Sequence, residues 1–101
     1  MTNDTERSWR DLEAERLLRI ALSKGQTALE RGDYARARKH FEDALTIAPE
    51  DTEARQGLRQ ADYREWMQQG HKHYQTAAYT DASEAFRQAG EVANEMDRSH
   101  E

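Results

Sequence analysis

The 101-residue sequence contains no cysteine, one proline, one valine and two isoleucines. The absence of cysteine excludes disulfides, thiolate nucleophiles, iron–sulfur clusters and sulfur-bound zinc. With so little valine and isoleucine, and no sustained period-2 alternation, strands are not expected. Leu, Ile, Val and Phe together number twelve. That is about 12% of the chain, a share that by itself signals disorder unless a pattern overturns it. No apolar run approaches the ~20 residues that span a bilayer. Met1 to Arg10 is polar and has no apolar secretory core. The chain opens on Met1, so no upstream segment is expected, and the expected location is the cytoplasm. The formal charge of −5 argues against nucleic acid, whose phosphates require clustered Lys and Arg, and against an anionic lipid surface.

What the sequence does have is alanine and repetition. Fifteen of its residues are alanine. A shift of 45 residues aligns Gly25 with Gly70, Tyr34 with Tyr79, Ala37 with Ala82, Phe41 with Phe86, Ala44 with Ala89 and Ala48 with Ala93. Tyr-x2-Ala-x3-Phe-x2-Ala occurring twice at one offset is an internal duplication, and it supplies the pattern that overturns the disorder prior.

Each copy reads as two helices. Gly32 offers a turn and Asp33 a capping oxygen. Phe41, Ala44, Leu45 and Ala48 then follow at helical spacing until Pro49 stops the run. In the second copy Thr80 is the expected cap, and Ala82, Phe86, Ala89 and Ala93 form the stripe. Asp51 caps a run from about Thr52 to Thr76, and the N-terminal helix is expected from about Ser8 to Arg31. Glycine and alanine at 25, 70, 37, 44, 82 and 89 fall where the two helices of a hairpin must approach closely. Phe41, Phe86 and Trp66 fill the space between layers.

These residues resemble the tetratricopeptide repeat family, whose pattern is W-x2-L-G-x2-Y, then A-x3-F and a closing proline. Trp66-x2-Gln69-Gly70-x2-His73 keeps the Trp and Gly, and Ala21-x2-Lys24-Gly25-x2-Ala28 keeps the Gly. Ala37-x3-Phe41 with Pro49, and Ala82-x3-Phe86 with Asn94 in place of proline, match the second helix. The resemblance covers about residues 18 to 51 and 63 to 96. It implies an all-α fold: antiparallel helical hairpins stacked as a short solenoid of about four helices, two long and two shorter. It also implies one domain over 1–101, with repeat 1 at about 7–51 and repeat 2 at about 52–97.

The family repeat is 34 residues, so copies 45 apart carry an excess of 11, close to three helical turns. We read each first helix as lengthened at its N-terminal end, by residues 7–17 and 52–62. Trp9, Leu12 and Leu17 on one extension, and Ala54, Leu58 and Ala61 on the other, are expected to form a coiled-coil-like seam. The contact surface is expected to keep its direction along the lengthened helix, with no break near Ala61 to Tyr63.

No catalytic residue is expected. The many acidic residues stand at i, i+4 from arginines, as in Glu6/Arg10 and Glu15/Arg19, and read as solvated helix-face pairs. No nucleophile–base motif, phosphate loop or dinucleotide fingerprint is present. His71 and His73 point about 200° apart on a helix and cannot chelate one ion. His40 and His100 have no distinctive partner, so no metal or cofactor is expected. The resemblance implies a non-enzymatic module whose first helices line a groove for a peptide or helix of another protein. The groove residues would be Arg19, Leu22, Gln26 and Leu29, followed by Arg64, Met67, His71 and Tyr74. Family members that clamp a C-terminal carboxylate use lysine and asparagine on this face, where Gln26 and His71 stand here. A second expectation comes from repeat arithmetic, since such arrays normally need about three units and a polar cap. Two copies would leave an open face around Phe86, Val92 and Met96, available for a homodimer.

Overall fold

The first turn forms because Gly32 adopts a φ of +77°, a left-handed conformation that costs glycine nothing. Asp33 follows and accepts the backbone N–H of Arg36 at 3.2 Å, which fixes the start of the next helix. The computed structural model describes the backbone of residues 2–99 and the side chains of residues 9–96. Four helices occupy it: α1 Thr2–Glu30, α2 Tyr34–Ile47, α3 Thr52–Gln75 and α4 Tyr79–Ser99. No strand occurs among the described residues. Each helix packs against the next through a short turn, and α1 also meets α3 over a short stretch. The architecture is therefore all-α, two antiparallel hairpins sharing the α2–α3 interface. α1 starts six residues ahead of the expected Ser8. α2 ends two residues before Pro49, and Asp51 caps α3 by accepting Ala54 N–H at 2.8 Å.

One ring organises the core. Phe41 is fully buried, and its ring lies between Gly25 of α1 and Gly57 of α3. A Cβ built on these glycines would sit 2.7 and 2.4 Å from its carbons. Ala37, Ala44, Ala54 and Ala61 are also fully buried beside it, with Leu22 and Leu29 from α1. Small residues bring three helix axes close enough for a single phenylalanine to fill the gap, so few large aliphatics are needed. No polar side chain is buried among the described residues.

The second hairpin repeats this with one glycine. Phe86 packs on Gly70 above buried Ala82, Ala85 and Ala89, and it remains half-buried. Gly25 and Gly57 lie at one level because they share Phe41, whereas Gly70 is thirteen residues further along α3. Thirteen residues of helix rise about 20 Å. The hairpins are thus stepped along α3, and the molecule is a flat rod of 67 × 29 × 15 Å.

The step corrects two expectations. α3 runs without a break through Ala61–Tyr63, as its length implies, but its contact surface does rotate. Ala54, Leu58 and Ala61 belong to the Phe41 core, whereas eleven residues on the same stripe reads Glu65, Gln69 and Lys72. Gly70, about half a turn around the helix, takes over against α4. The expected seam between α1 and α3 does not form. Trp9, Leu12 and Leu17 are 70%, 58% and 44% exposed. The reason is geometric: α2 ends at Ile47, six residues past Phe41, so among the described residues no other helix flanks α1 ahead of about residue 19.

Thr80 is a third correction. α4 begins at Tyr79, and Thr80 lies inside its first turn. Gly32 and Asp33 of the first copy correspond to Ala77 and Ala78 in the second. Ala77 is held at φ +63°, a left-handed conformation unfavourable to any residue with a Cβ, and alanine at 78 has no capping oxygen. Ala77→Gly and Ala78→Asp are each expected to stabilise the chain by about 0.5–1 kcal/mol. A thermal melt should rise by several degrees for the pair; an unchanged or lowered midpoint would contradict this account of the turn.

Candidate partner-binding face

Positions 64, 67, 71 and 74 recur at i+3 and i+4 and so share one face of α3. Arg64, His71 and Tyr74 are exposed there and Met67 is half-buried. Arg64 makes no ion pair among the described residues. His71 meets the Phe86 ring edge-on, with centroids 5.4 Å apart and planes at 78°. Tyr74, 62% exposed, stands edge-on to Tyr79, itself 59% exposed, at 5.5 Å. This half of α3 extends past the end of hairpin 1, so the face is open along its length.

The matching α1 set divides. Arg19 is exposed and hydrogen-bonded to Glu15 at 2.9 Å, and Gln26 is half-buried. Leu22 and Leu29, 8% and 3% exposed, are core residues of the Phe41 cluster. Their place on the expected groove is corrected: they turn toward α2 and α3, where apolar surface is covered. The step also prevents the two sets from lying side by side. Arg19 and Gln26 flank the level of Gly25, and Arg64 to Tyr74 flank that of Gly70, so the sets follow one another along the rod.

Sequence reasoning missed Tyr79 as a surface aromatic. Its counterpart Tyr34 is half-buried against the Phe41 cluster, so the duplication alone suggested equivalent packing. Also missed was the clamp where hairpin 1 ends. Arg38 of α2 donates to Asp62 at 2.9 Å and also pairs with Glu65, both on α3. Arg38 and Asp62 are about a third exposed, and such pairs contribute at most about 1 kcal/mol.

Phe86, Val92 and Met96, the residues expected at an open end, are all half-buried on α4. Phe86 has one glycine against its ring where Phe41 has two. Elsewhere the surface offers shallow depressions. One of them, between α1 and α2 near their shared turn, holds about 470 Å³ and is lined by residues including Lys24, Arg31, Arg36 and His40.

The displaced ionisations lie apart from these faces. Hydrogen bonds from Arg87 and then Gln88 hold the Glu84 carboxyl at about 2, and Glu84 in turn raises Arg87. The three form an exposed cluster along α4. A depressed carboxyl stabilises the fold above its ordinary value of 4.5 and loses that contribution as pH falls toward 2. Among the described residues no group of three or more His, Asp or Glu is placed to hold a metal ion. No described helix is long and apolar enough to cross a membrane.

Residues 28–65 match the model of the tetratricopeptide repeat family. The segment runs from the last turn of α1 through α2 to the middle of α3, which takes in Phe41, Gly57 and the buried alanines between them. No curated protein and no solved structure matches the chain significantly. Repeats of this family generally mediate protein–protein interaction and are typically non-catalytic. The matched segment, together with four helices in antiparallel hairpins, fits a tetratricopeptide-like repeat protein.

Proposed function

We infer that this chain is a non-enzymatic module that holds a segment of another protein along the open half of α3. The observation that carries the reading is the line of Arg64, Met67, His71 and Tyr74 on the part of α3 that hairpin 1 leaves uncovered. The Tyr74–Tyr79 pair supplies exposed aromatic surface at its end, and aromatic and arginine side chains dominate binding energy at protein interfaces. An arginine beside Met and Tyr favours an acidic segment with apolar anchors, laid along the helix. Arg19 and Gln26 would extend the contact toward hairpin 1.

The test is affinity capture from the native source with the wild-type chain beside Arg64→Glu and Tyr74→Ala, all three checked for equal thermal midpoints. A partner retained by the wild type and lost, or at least tenfold weakened, with the variants supports the face. A partner held equally by all three overturns it. Self-association through the open end around Phe86, Val92 and Met96 is a second reading, favoured by the one-sided cover of Phe86.

A further inference from the structure

The largest exposed apolar residue is Trp9, and the stripe that contains it is not accounted for by either reading above. Trp9, Leu12, Leu17 and Ile20 are 70%, 58%, 44% and 41% exposed along α1. Residues 9–17 are exposed on every side of the helix. Where the stripe reaches hairpin 1 it continues into a depression walled by Leu17, Ile20, Ala21 and Ile47 and edged by Lys24, His40 and Asp43. That wall is the side of α1 and α2 turned away from α3, the side a preceding repeat would cover in a longer array.

The stripe is symmetric about a point. Trp9 and Ile20, Leu12 and Leu17, and Glu13 and Arg16 are each spaced evenly about the Ala14–Glu15 bond. Two such helices laid antiparallel about a two-fold axis at that bond would place Trp9 of each against Ile20 of the other. They would also set Glu13 against Arg16 near the middle of the contact and bring Leu12 and Leu17, about 140° apart around the helix, to its two edges. Self-complementarity of this kind is the requirement of an isologous interface, in which one patch meets itself. The charges agree with it: Glu13 and Arg16 already lie 3.4 Å apart within one helix, so each copy offers both signs where its mate needs them.

We propose that a second copy of this chain docks antiparallel on α1, each protruding N-terminal segment covering the open wall of the other copy's first hairpin. The protruding segment thereby acts as the missing cap of its mate. The closure is reciprocal, so association stops at two and does not grow into a filament. Four apolar side chains and the stems of the flanking charges amount to roughly 1,000 Å² over both copies, at the low end for a specific interface. The dimer is accordingly weak and reversible.

Sedimentation velocity over a concentration series tests this on the intact chain. The wild type should pass from monomer to dimer with a midpoint on the order of 10–100 µM. Leu12→Glu and Ile20→Glu should each weaken association at least tenfold, with circular dichroism and thermal midpoint preserved, since neither residue belongs to the core cluster. Val92→Glu, half-buried at the open end of α4, should leave it unchanged at a preserved thermal midpoint. Glu13→Arg alone should weaken it, and Glu13→Arg with Arg16→Glu should restore it. Orientation is read independently. The chain has no cysteine, so Ser23→Cys accepts a single spin label. Antiparallel docking sets the two labels seventeen residues apart along the helices, about 25–30 Å. Three results would each overturn the proposal: a wild-type chain still monomeric at roughly 300 µM, well above the expected midpoint; a dimer indifferent to both Leu12→Glu and Ile20→Glu but abolished by Val92→Glu at an unchanged thermal midpoint; or labels only about 10 Å apart, the spacing of parallel neighbours.

Discussion

Phe41→Ala should remove about 3–5 kcal/mol of stability, a large part of the roughly 5–15 kcal/mol available to a domain of this size. Phe41 is fully buried, and its ring is the shared filling of three helices. Truncation loses the apolar burial and also leaves a cavity between Gly25 and Gly57, two walls with no side chain to swing inward, which Leu22 and Leu29 of the same cluster can fill only in part. Urea or thermal denaturation measures the effect. The duplicated position provides the contrast: Phe86 is half-buried with a single glycine behind it, so Phe86→Ala should cost roughly half as much. Equal losses at the two positions would contradict the stepped arrangement. A loss near zero at Phe41 would contradict the core itself.

Gly57→Ala is expected to be damaging as well, against the sense of helix propensity. Alanine is the better helix former by about 1 kcal/mol, so propensity alone predicts stabilisation. Its Cβ, however, would stand 2.4 Å from the Phe41 ring, and the ring cannot retreat because Gly25 is packed against it as well. Overpacking of this kind costs about 1–3 kcal/mol and, less the propensity gain, should leave a net loss of up to about 2 kcal/mol. Gly90→Ala in α4 has nothing within 4 Å of the new Cβ, so there the propensity gain should appear unopposed. Opposite signs for the two glycine substitutions are the expected result of parallel melts. Phe41→Leu combined with Gly57→Ala should lose less than the two single changes added together, because the smaller side chain makes room for the methyl.

Much of the fold was legible because it rests on repetition and on residues with strong local meaning. Gly32, Asp33, Pro49 and Asp51 punctuate the helices chemically, and the 45-residue register of Phe41 with Phe86 announces two hairpins. What escaped was set by relations between elements. Leu22 and Leu29 occupy groove positions by alignment, yet they are buried because α2 and α3 both lie against that side of α1. Ala54, Leu58 and Ala61 are the correct apolar stripe for a long helix, but their partner is Phe41 on α2 rather than the α1 extension. No periodicity distinguishes those two partners, since either buries the same residues. The turn at Ala77 was obscure for a different reason: alanine gives no sign of a left-handed conformation that its neighbours impose. On the candidate face, Arg64, His71 and Tyr74 came from the family resemblance and are exposed, whereas the exposure of Tyr79 depends on how α4 starts against α3.

The uninterrupted course of α3 makes the relation between the two hairpins a matter of phase. Both are indexed to the same helix, so each residue inserted or deleted between Ala61 and Trp66 would turn the second about 100° around the first and move it about 1.5 Å. Increments of seven or eleven residues each bring the orientation back to within about 20°, and removing eleven would reduce the offset of 45 to the 34 of the family repeat. The length of the rod can therefore change in steps of two or three whole turns while the direction of its faces is conserved.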